Sequence, residues 1–177
     1  MVRSATDLFT RVGYAGTTME GVAAGAGMSV QSVYFAFHTK ANLLQAAIDA
    51  AESEPGPRRV ETDPDRALAE MVDETCRLLG TTGPLALAAA AAGPRDAAAD
   101  EVLRRFEAAR SKAASDLVVR LRSMRPLAIG VTTRRASDVV YGLLSPQLYA
   151  LMVHERGWSP KRYAGWATGA ISRALWG

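Results

Sequence analysis

The chain has 177 residues, 49% of them hydrophobic and 22% charged, a formal net charge of +3 and one cysteine. This composition predicts a folded core and excludes a disordered chain or an internal disulfide. The longest apolar run, at residues 85–92, falls far short of the roughly 20 residues that cross a bilayer, so we expect a soluble, cytoplasmic protein.

Apolar residues recur at helical spacing along the whole chain, and no segment alternates as a strand would. The predicted fold class is therefore all-α, with about nine helices. The first helix carries Leu8, Phe9 and Val12 on one face, and it is expected to stop at Gly13.

Capping signals divide the region that follows into three short helices. Thr17 with Glu20 predicts a capping box at the first of them. That helix is expected to end at Gly25 and Gly27, since glycine takes a positive φ at little cost. Ser29 and Thr39 are predicted to cap the next two. Two short helices joined by a glycine turn are typical of a helix-turn-helix.

The second helix of this pair has two distinct faces. Val33 and Phe37, four residues apart, share an apolar face that can hold the helix on its neighbours. The opposite face suits a DNA major groove, with glutamine fitted to an adenine edge and valine to a thymine methyl. Its residues are Val30, Gln31, Ser32 and Tyr34. Tyr34 and Lys40 are well placed for phosphates, as are the helix N-termini at Thr17 and Thr39. An ordinary corner between packed helices is the alternative.

Residues 53–65 concentrate proline, glycine and charge and lack apolar periodicity, which predicts a linker. We therefore predict two domains: a three-helix helix-turn-helix domain at residues 1–49 and a larger helical domain at residues 50–177.

The larger domain contains several more helix boundaries. One predicted helix ends at Gly80, and Pro84 opens another that is rich in alanine. A long helix is expected over residues 96–124. Pro146 is expected to kink or restart the helix after it, and Ser159 is expected to cap the last one.

The sequence from Leu8 to Ile48, LFTRVGYAGTTMEGVAAGAGMSVQSVYFAFHTKANLLQAAI, resembles the N-terminal domain of tetracycline-repressor-type (TetR-family) transcriptional regulators. The shared pattern is a Leu-Phe pair, Gly-Tyr, Thr-Thr, a helix of small residues, a hydroxyl-hydrophobic-Tyr triplet, a Phe, and Thr-Lys before Leu-Leu. The ending, residues 142–175, is also similar to the last two helices of many such regulators.

The resemblance implies a repressor that binds a palindromic operator in double-stranded DNA as a homodimer and is released by a small-molecule effector. It implies base-reading or groove-facing roles for Val30, Gln31 and Ser32, and phosphate contacts for Tyr34, Thr18 and Lys40. Together with the caps, the predicted DNA-binding residues are Thr17, Thr18, Ser29, Val30, Gln31, Ser32, Tyr34, Thr39 and Lys40.

The larger domain is predicted to bind a small, mainly hydrophobic effector and to form the dimer. The candidate effector-lining residues fit plain core better than ligand contact when each is taken alone: Met71, Cys76, Leu79, Leu87, Phe106 and Tyr141. A second set lies near the C-terminus and could face either its own core or a second copy, and the resemblance favours the dimer. This set is Val140, Leu144, Leu148, Leu151, Gly165, Trp166 and Gly169.

No motif of a known catalytic or metal site is present. The two histidines, His38 and His154, lie in different predicted domains, and HExxH, CxxC, GxSxG and phosphate-loop patterns do not occur. We therefore predict no enzyme activity, cofactor, metal or membrane partner.

The charges from Ala5 to Ile48 cancel, since Arg11 and Lys40 are matched by Asp7 and Glu20. Weak DNA binding, or binding with little salt dependence, is therefore expected. The alternative function is a helical small-molecule-binding or interaction module whose DNA binding is weak or lost.

Overall fold

A computed structural model describes residues 1–53 and 61–177, which are helical and contain no β-strand, so the all-α prediction is confirmed. The helices are α1 (Val2–Gly16), α2 (Met19–Ala26), α3 (Val30–Phe37), α4 (Lys40–Glu52), α5 (Pro64–Ala92), α6 (Ala97–Met124), α7 (Thr133–Leu143), α8 (Pro146–Ala150) and α9 (Pro160–Trp176). A 3-10 turn, Gly93–Arg95, precedes α6, and a π-helical turn, Leu151–Glu155, follows α8. Within the described segments, no helix combines the length and the apolarity that crossing a membrane requires.

The described residues form two compact units. The first contains residues 1–53 and 81–106, and the second contains residues 61–80 and 107–177, so α5 and α6 contribute to both. The middle of the predicted linker, residues 54–60, lies outside the described residues. The domain boundary between residues 49 and 50 stays a prediction, because compact packing alone does not show where a functional domain ends.

The core of the first unit gathers side chains from α1 to α4 and from the parts of α5 and α6 that belong to it. Phe9, Val33 and Leu44 are almost completely buried in this core. Gly13 breaks α1 with a φ of +71°, but the helix that was expected to stop there resumes and runs to Gly16. Beyond this break the ring of Tyr14 stacks on that of Phe9, with 5.9 Å between ring centroids. The glycine therefore lets α1 add a second aromatic ring to the core.

The capping box predicted at Thr17 and Glu20 is wrong. Thr18 caps α2 instead, because its hydroxyl oxygen accepts the N–H of Gly21 at 3.0 Å. The hydroxyl of Thr17 donates to the carbonyl oxygen of Gly13 at 2.8 Å, and the Thr17 residue is buried. The start of α2 is thus one residue later than predicted.

The predicted break between Gly80 and Pro84 is also wrong, since α5 continues through both residues as one helix. Pro84 has no N–H to donate to the carbonyl four residues earlier. Its neighbours Thr82 and Leu85 are buried, so tertiary packing holds the helix through the proline. The predicted end at Gly25 is wrong too, since α2 continues to Ala26 and Gly27 ends it. Two further boundaries are confirmed: α8 starts at Pro146, and Ser159 caps α9.

The core of the second unit is centred on Tyr163, which is fully buried on α9. Its hydroxyl donates to the carbonyl oxygen of Leu143 at 2.5 Å, and its ring meets that of Tyr149 edge-on at 5.2 Å. These contacts join α7, α8 and α9. Leu121 of α6 is buried in the same core.

Phe9 and Phe35 allow a matched test of the first core, because the first is 1% exposed and the second is 86% exposed. We expect Phe9→Ala to lower the free energy of unfolding by about 3–5 kcal/mol, since it removes a buried ring. Phe35→Ala should change it by less than about 0.5 kcal/mol. Urea unfolding followed by circular dichroism measures both. Equal effects would contradict the packing described here.

Candidate functional site

The backbone before α3 fixes the direction in which this helix starts. Gly27 ends α2 in the left-handed conformation, with a φ of +65°, and its N–H donates to the carbonyl oxygens of Ala23 and Ala24. The hydroxyl of Ser29 then accepts the N–H of Ser32 at 3.1 Å. A tight helix-turn-helix results, as the sequence predicts.

The two faces of α3 have different surroundings. Val33 is completely buried, and Phe37 packs against the same core while partly exposed. Gln31 and Tyr34 are exposed. Phe35 is exposed as well, and an α-helix places it opposite Val33 because the two residues are two positions apart. The inward side chains therefore leave an outward face free for a partner.

The predicted base-reading residues are not equally available on this face. Gln31 is exposed, whereas Val30 and Ser32 are half-buried. Val30 packs partly against the core of the first unit. The hydroxyl of Ser32 lies 2.8 Å from that of Ser29. The structure thus brings the three predicted residues to one short helix but leaves Gln31 the most open of them.

The predicted phosphate contacts fall into three situations. Thr18 and Thr39 are exposed and cap α2 and α4, so N–H groups of both helix starts lie beside them. Thr17 is buried, so its side chain is not available to a phosphate. Lys40 is half-buried: its ammonium donates to the carbonyl oxygen of Tyr14 at 2.8 Å and lies 4.3 Å from the centre of the Tyr14 ring.

Sequence reasoning missed Phe35. A large apolar side chain that is 86% exposed on a helix with a polar outer face is unusual. The signal was available, because Val33 and Phe37 define the inner face and Phe35 lies midway between them. Met28, just before α3, is also exposed.

A second candidate site is a cavity of about 70 Å³ in the second unit, formed by α5, α6 and α7. This volume is well below the range of about 300–1,000 Å³ typical of ligand pockets. The lining residues are Thr75, Arg110, Ala113, Ala114, Leu117, Val140, Tyr141 and Leu144.

Of the predicted effector-lining residues, Tyr141 lines this cavity. Of the others, Met71, Cys76 and Leu79 lie in the second unit and Leu87 and Phe106 in the first, and none of the five lines this cavity. The cavity therefore contains one residue of the predicted set, and it adds Arg110, which the sequence did not suggest.

Arg110 lies in a polar network at the cavity wall. Its guanidinium forms an ion pair with the carboxylate of Glu107, one turn earlier on α6. It also donates to the carbonyl oxygens of Tyr141 at 2.8 Å and Leu144 at 3.0 Å. The hydroxyl of Tyr141 donates to Glu107 at 2.7 Å. This bond, with burial, raises the pKa of Tyr141, although the Arg110 charge opposes the rise. Tyr141 therefore stays a neutral hydrogen-bond donor.

The residues predicted for a dimer interface divide into two groups. Val140 and Leu144 are buried within the protomer, and Leu148 packs against the same core, so these three face inward. The remaining residues are exposed or half-exposed at the surface: Leu151, Gly165, Trp166 and Gly169. A side chain added at Gly165 would meet no atom within 4 Å in the protomer.

Comparisons with known proteins agree with this geometry. Residues 2–47 match the profile of the bacterial regulatory proteins of the tetR family, which confirms the resemblance found in the sequence. No curated relative matches the chain. Regulators of that family are DNA-binding transcription factors and not enzymes, which agrees with the prediction of no enzyme activity.

Several solved structures share the fold. NalD, the secondary repressor of the MexAB-OprM multidrug efflux pump in Pseudomonas aeruginosa, has a TM-score of 0.72 at 24% identity, covering 98% of this chain and 92% of that one. A TetR transcriptional regulator from Agrobacterium tumefaciens has a TM-score of 0.67 at 23% identity, covering 98% and 89%. FadR from Bacillus subtilis, solved with stearoyl-CoA, has a TM-score of 0.69 at 12% identity, covering 98% and 97%.

The chain's one cysteine offers a test of the second core. Cys76 is buried, and burial together with the nearby Asp73 carboxylate raises the pKa of its thiol to about 12. The thiolate is the reactive form, so alkylation by iodoacetamide at pH 8 should be slower in the native protein than in urea by roughly a hundredfold or more. The native rate should keep rising above pH 9 rather than level off. Similar native and unfolded rates would place Cys76 outside the core.

Proposed function

We propose that this protein is a transcriptional repressor, because residues 2–47 match the model of the bacterial regulatory proteins of the tetR family and the fold over 98% of the chain is similar to that of NalD. It binds a palindromic operator in double-stranded DNA as a homodimer, and a small-molecule effector releases it. The observation that carries the proposal is α3, whose inner face is buried at Val33 while its outer face is open.

Three side chains of α3 are proposed to contact the operator, two at base edges and one at a phosphate. Gln31, exposed in the first turn, can make paired hydrogen bonds to an adenine edge. Phe35 offers an apolar surface to a thymine methyl. Tyr34, also exposed, is proposed to bind a phosphate beside them. Base contacts of this kind select a sequence, whereas the phosphate contacts fix the register of the protein on the duplex.

Lys40 is proposed to bind phosphate while it keeps its hydrogen bond to the carbonyl oxygen of Tyr14. An ammonium group has three N–H donors, and the bond to the Tyr14 carbonyl uses one of them. Lys40 is also the first residue of α4, so the backbone N–H groups of that helix start lie close by. Thr18 and Thr39, which cap α2 and α4, complete the proposed phosphate contacts.

The helical repeat of DNA is the reason for proposing a dimer. Two recognition helices reach equivalent half-sites when they are about 34–36 Å apart, one turn of the duplex, and two-fold symmetry then demands a palindrome. We propose that the surface around Leu151, Gly165 and Trp166 forms the dimer, since it is exposed in the protomer and Gly165 has room for a close helix.

Repression and effector release are supported by analogy and by the cavity. The similar NalD is a repressor, and the similar FadR was solved with a bound acyl-CoA. In this chain the cavity beside Arg110 and Tyr141 is the proposed effector site. An effector that favours a dimer geometry unsuited to the groove spacing would shift the population away from the DNA-bound form. We also propose that the protein acts in the cytoplasm.

The role of Gln31 can be separated from that of Lys40 by comparing their effects on different DNA sequences. We expect Gln31→Ala to lose about 1–3 kcal/mol of discrimination at particular base pairs, since it removes a base contact. Lys40→Ala should weaken binding to all DNA sequences alike. It should also reduce the slope of log affinity against log salt concentration by about 1. Fluorescence anisotropy with point-mutated operators measures both effects.

Lys112→Ala is the control for this comparison, since Lys112 is an exposed lysine on α6 that pairs with Asp116. It should leave binding unchanged. A uniform loss from both Gln31→Ala and Lys40→Ala would remove the base-reading role of Gln31. No sequence preference in the unmodified chain would favour the helical small-molecule or interaction module instead.

The dimer surface can be tested with two equivalent substitutions. Leu151 on the proposed interface and Val119 on α6 are similarly exposed, at 42% and 49%. Leu151→Glu should give monomers in size exclusion with light scattering, because it places a charge in an apolar contact. Val119→Glu should leave the dimer intact. A dimer in both variants would place the interface elsewhere.

A further inference from the structure

His38, the residue that ends α3, has a geometry that the proposed function does not use. From its exposed ring, which is anchored at one nitrogen and free at the other, we infer that His38 is a protonation-dependent phosphate contact of the DNA-binding surface. Operator binding then strengthens as the pH falls into the range in which imidazoles gain a proton. The inference rests on the proposed function, to which it adds a binding residue and a dependence on pH.

The backbone of His38 has a conformation in which glycine is usual. With a φ of +62°, it is the one non-glycine residue with a positive φ among the described residues. In the first unit, the other positive φ values of the described residues belong to Gly13 and Gly27. A histidine in this conformation costs stability that a glycine would not cost. Such strain at an exposed position points to a use for the side chain.

One edge of the imidazole is fixed and the other is open. Nδ1 lies 3.0 Å from the carbonyl oxygen of Tyr34, which also accepts the backbone N–H of His38. Because a carbonyl oxygen can only accept, Nδ1 carries a hydrogen and Nε2 is the atom that gains a proton. Nε2 makes no hydrogen bond to any described residue, and His38 is exposed. The protonated ring therefore offers an Nε2–H donor to a partner outside the chain.

His38 lies between two of the proposed phosphate contacts. Tyr34 is one helical turn earlier on α3, and Lys40 is the first residue of α4. Tyr34 is exposed, and the ammonium of Lys40 is held by the carbonyl oxygen of Tyr14. A DNA backbone that reaches both Tyr34 and Lys40 also comes close to His38, since all three belong to residues 34–40. The occupant that this position fits is a backbone phosphate.

The charges around His38 favour an anion once the ring is protonated. The titratable groups of the neighbouring elements are Tyr34 on α3, Lys40 on α4, Tyr14 on α1 and Asp96 at the start of α6. Asp96 bonds the Tyr14 hydroxyl and attracts Lys40. Residues 21–48 contain no Asp or Glu, so no carboxylate of α3 or of the first two turns of α4 competes for the imidazolium. A cation is also favoured at the carbonyl end of a helix.

Protonation changes the charge of the region that meets DNA. Residues 5–48 carry no net charge while the imidazole is neutral, so a proton on His38 makes their charge +1. Each cation that neutralises a phosphate releases condensed counterions and makes binding more dependent on salt. A phosphate contact by His38 therefore affects both the affinity and its salt dependence, whereas a purely structural role would leave the salt dependence unchanged.

Fluorescence anisotropy of the full chain with double-stranded DNA from immediately upstream of the gene tests the inference, with a shuffled duplex for comparison. We expect the upstream DNA to bind roughly threefold or more tightly at pH 6 than at pH 8, since the charge-assisted hydrogen bond needs the protonated ring. The slope of log affinity against log salt concentration should be steeper at pH 6, by up to about 1 for each protomer.

Substitutions at His38 locate the effect. His38→Asn tolerates a positive φ and takes no proton, so at both pH values it should bind as the unmodified chain does at pH 8. His38→Gly should behave in the same way without lowering the melting temperature, because it relieves the backbone strain. His38→Arg, a permanent cation, should bind tightly at both pH values. His154→Asn, at the exposed histidine of the second unit, is the matched control and should keep the pH dependence.

The results distinguish failure of this inference from failure of the proposed function. A preference for the upstream DNA that does not change with pH, or a pH dependence that persists in His38→Asn and His38→Gly, would overturn the inference alone. Binding of His38→Asn far weaker than that of the unmodified chain at pH 8 would also overturn it, since the side chain would then support the fold. No preference for the upstream DNA at either pH would contradict the proposed function and the inference with it.

Discussion

The complete burial of Val33 is the interaction on which the candidate DNA-binding surface depends. One side chain fixes the rotation of α3 about its axis, because every other side chain of an eight-residue helix takes its direction from the same backbone. Gly27 and Ser29 fix where the helix starts. With start and rotation set, Gln31 and Phe35 point away from the core. The reading surface is therefore a consequence of packing on the opposite side.

This arrangement also bears on the proposal that a region without net positive charge binds DNA. Lys40 is tied to Tyr14, and Tyr14 is itself part of the core. A cation held in place loses little side-chain entropy when it meets a phosphate. Fewer phosphate contacts reduce the salt-dependent part of the affinity. More of the binding free energy must then come from base and apolar contacts, which is consistent with an exposed Phe35 on α3.

The sequence predicted most of the fold because its local signals agree with one another. Apolar spacing, glycine turns and hydroxyl caps all indicate the same helices around α3, and the structure has them there. The wrong predictions concern positions where a sequence signal allows two outcomes or where tertiary packing outweighs it. Thr17 and Thr18 are adjacent and chemically alike, so only the fold decides which one caps α2. Pro84 breaks helices in general, but burial of its neighbours outweighs that tendency.

The cavity was harder to predict, since its chemistry comes from contacts between distant residues. In the sequence, Arg110 is one charge among many on a long helix, where most are solvated. Its burial depends on carbonyl groups of α7 that lie more than thirty positions away. Likewise, Val140 and Leu144 sit on the same apolar stripe as Leu151, yet the first two are buried in the protomer and Leu151 is exposed. Apolar periodicity predicts that these residues share one helix face. It does not predict which of them are buried within the protomer and which are exposed.

The central claim is that the outward face of α3 reads DNA, and an amide chemical-shift map of the labelled chain tests it most directly. The titrant is double-stranded DNA from immediately upstream of the gene, with a shuffled duplex of the same composition as the comparison. We predict saturable shifts concentrated at residues 29–40 that are larger for the upstream DNA. Equal shifts with both duplexes, or shifts confined to residues 61–177, would contradict the claim.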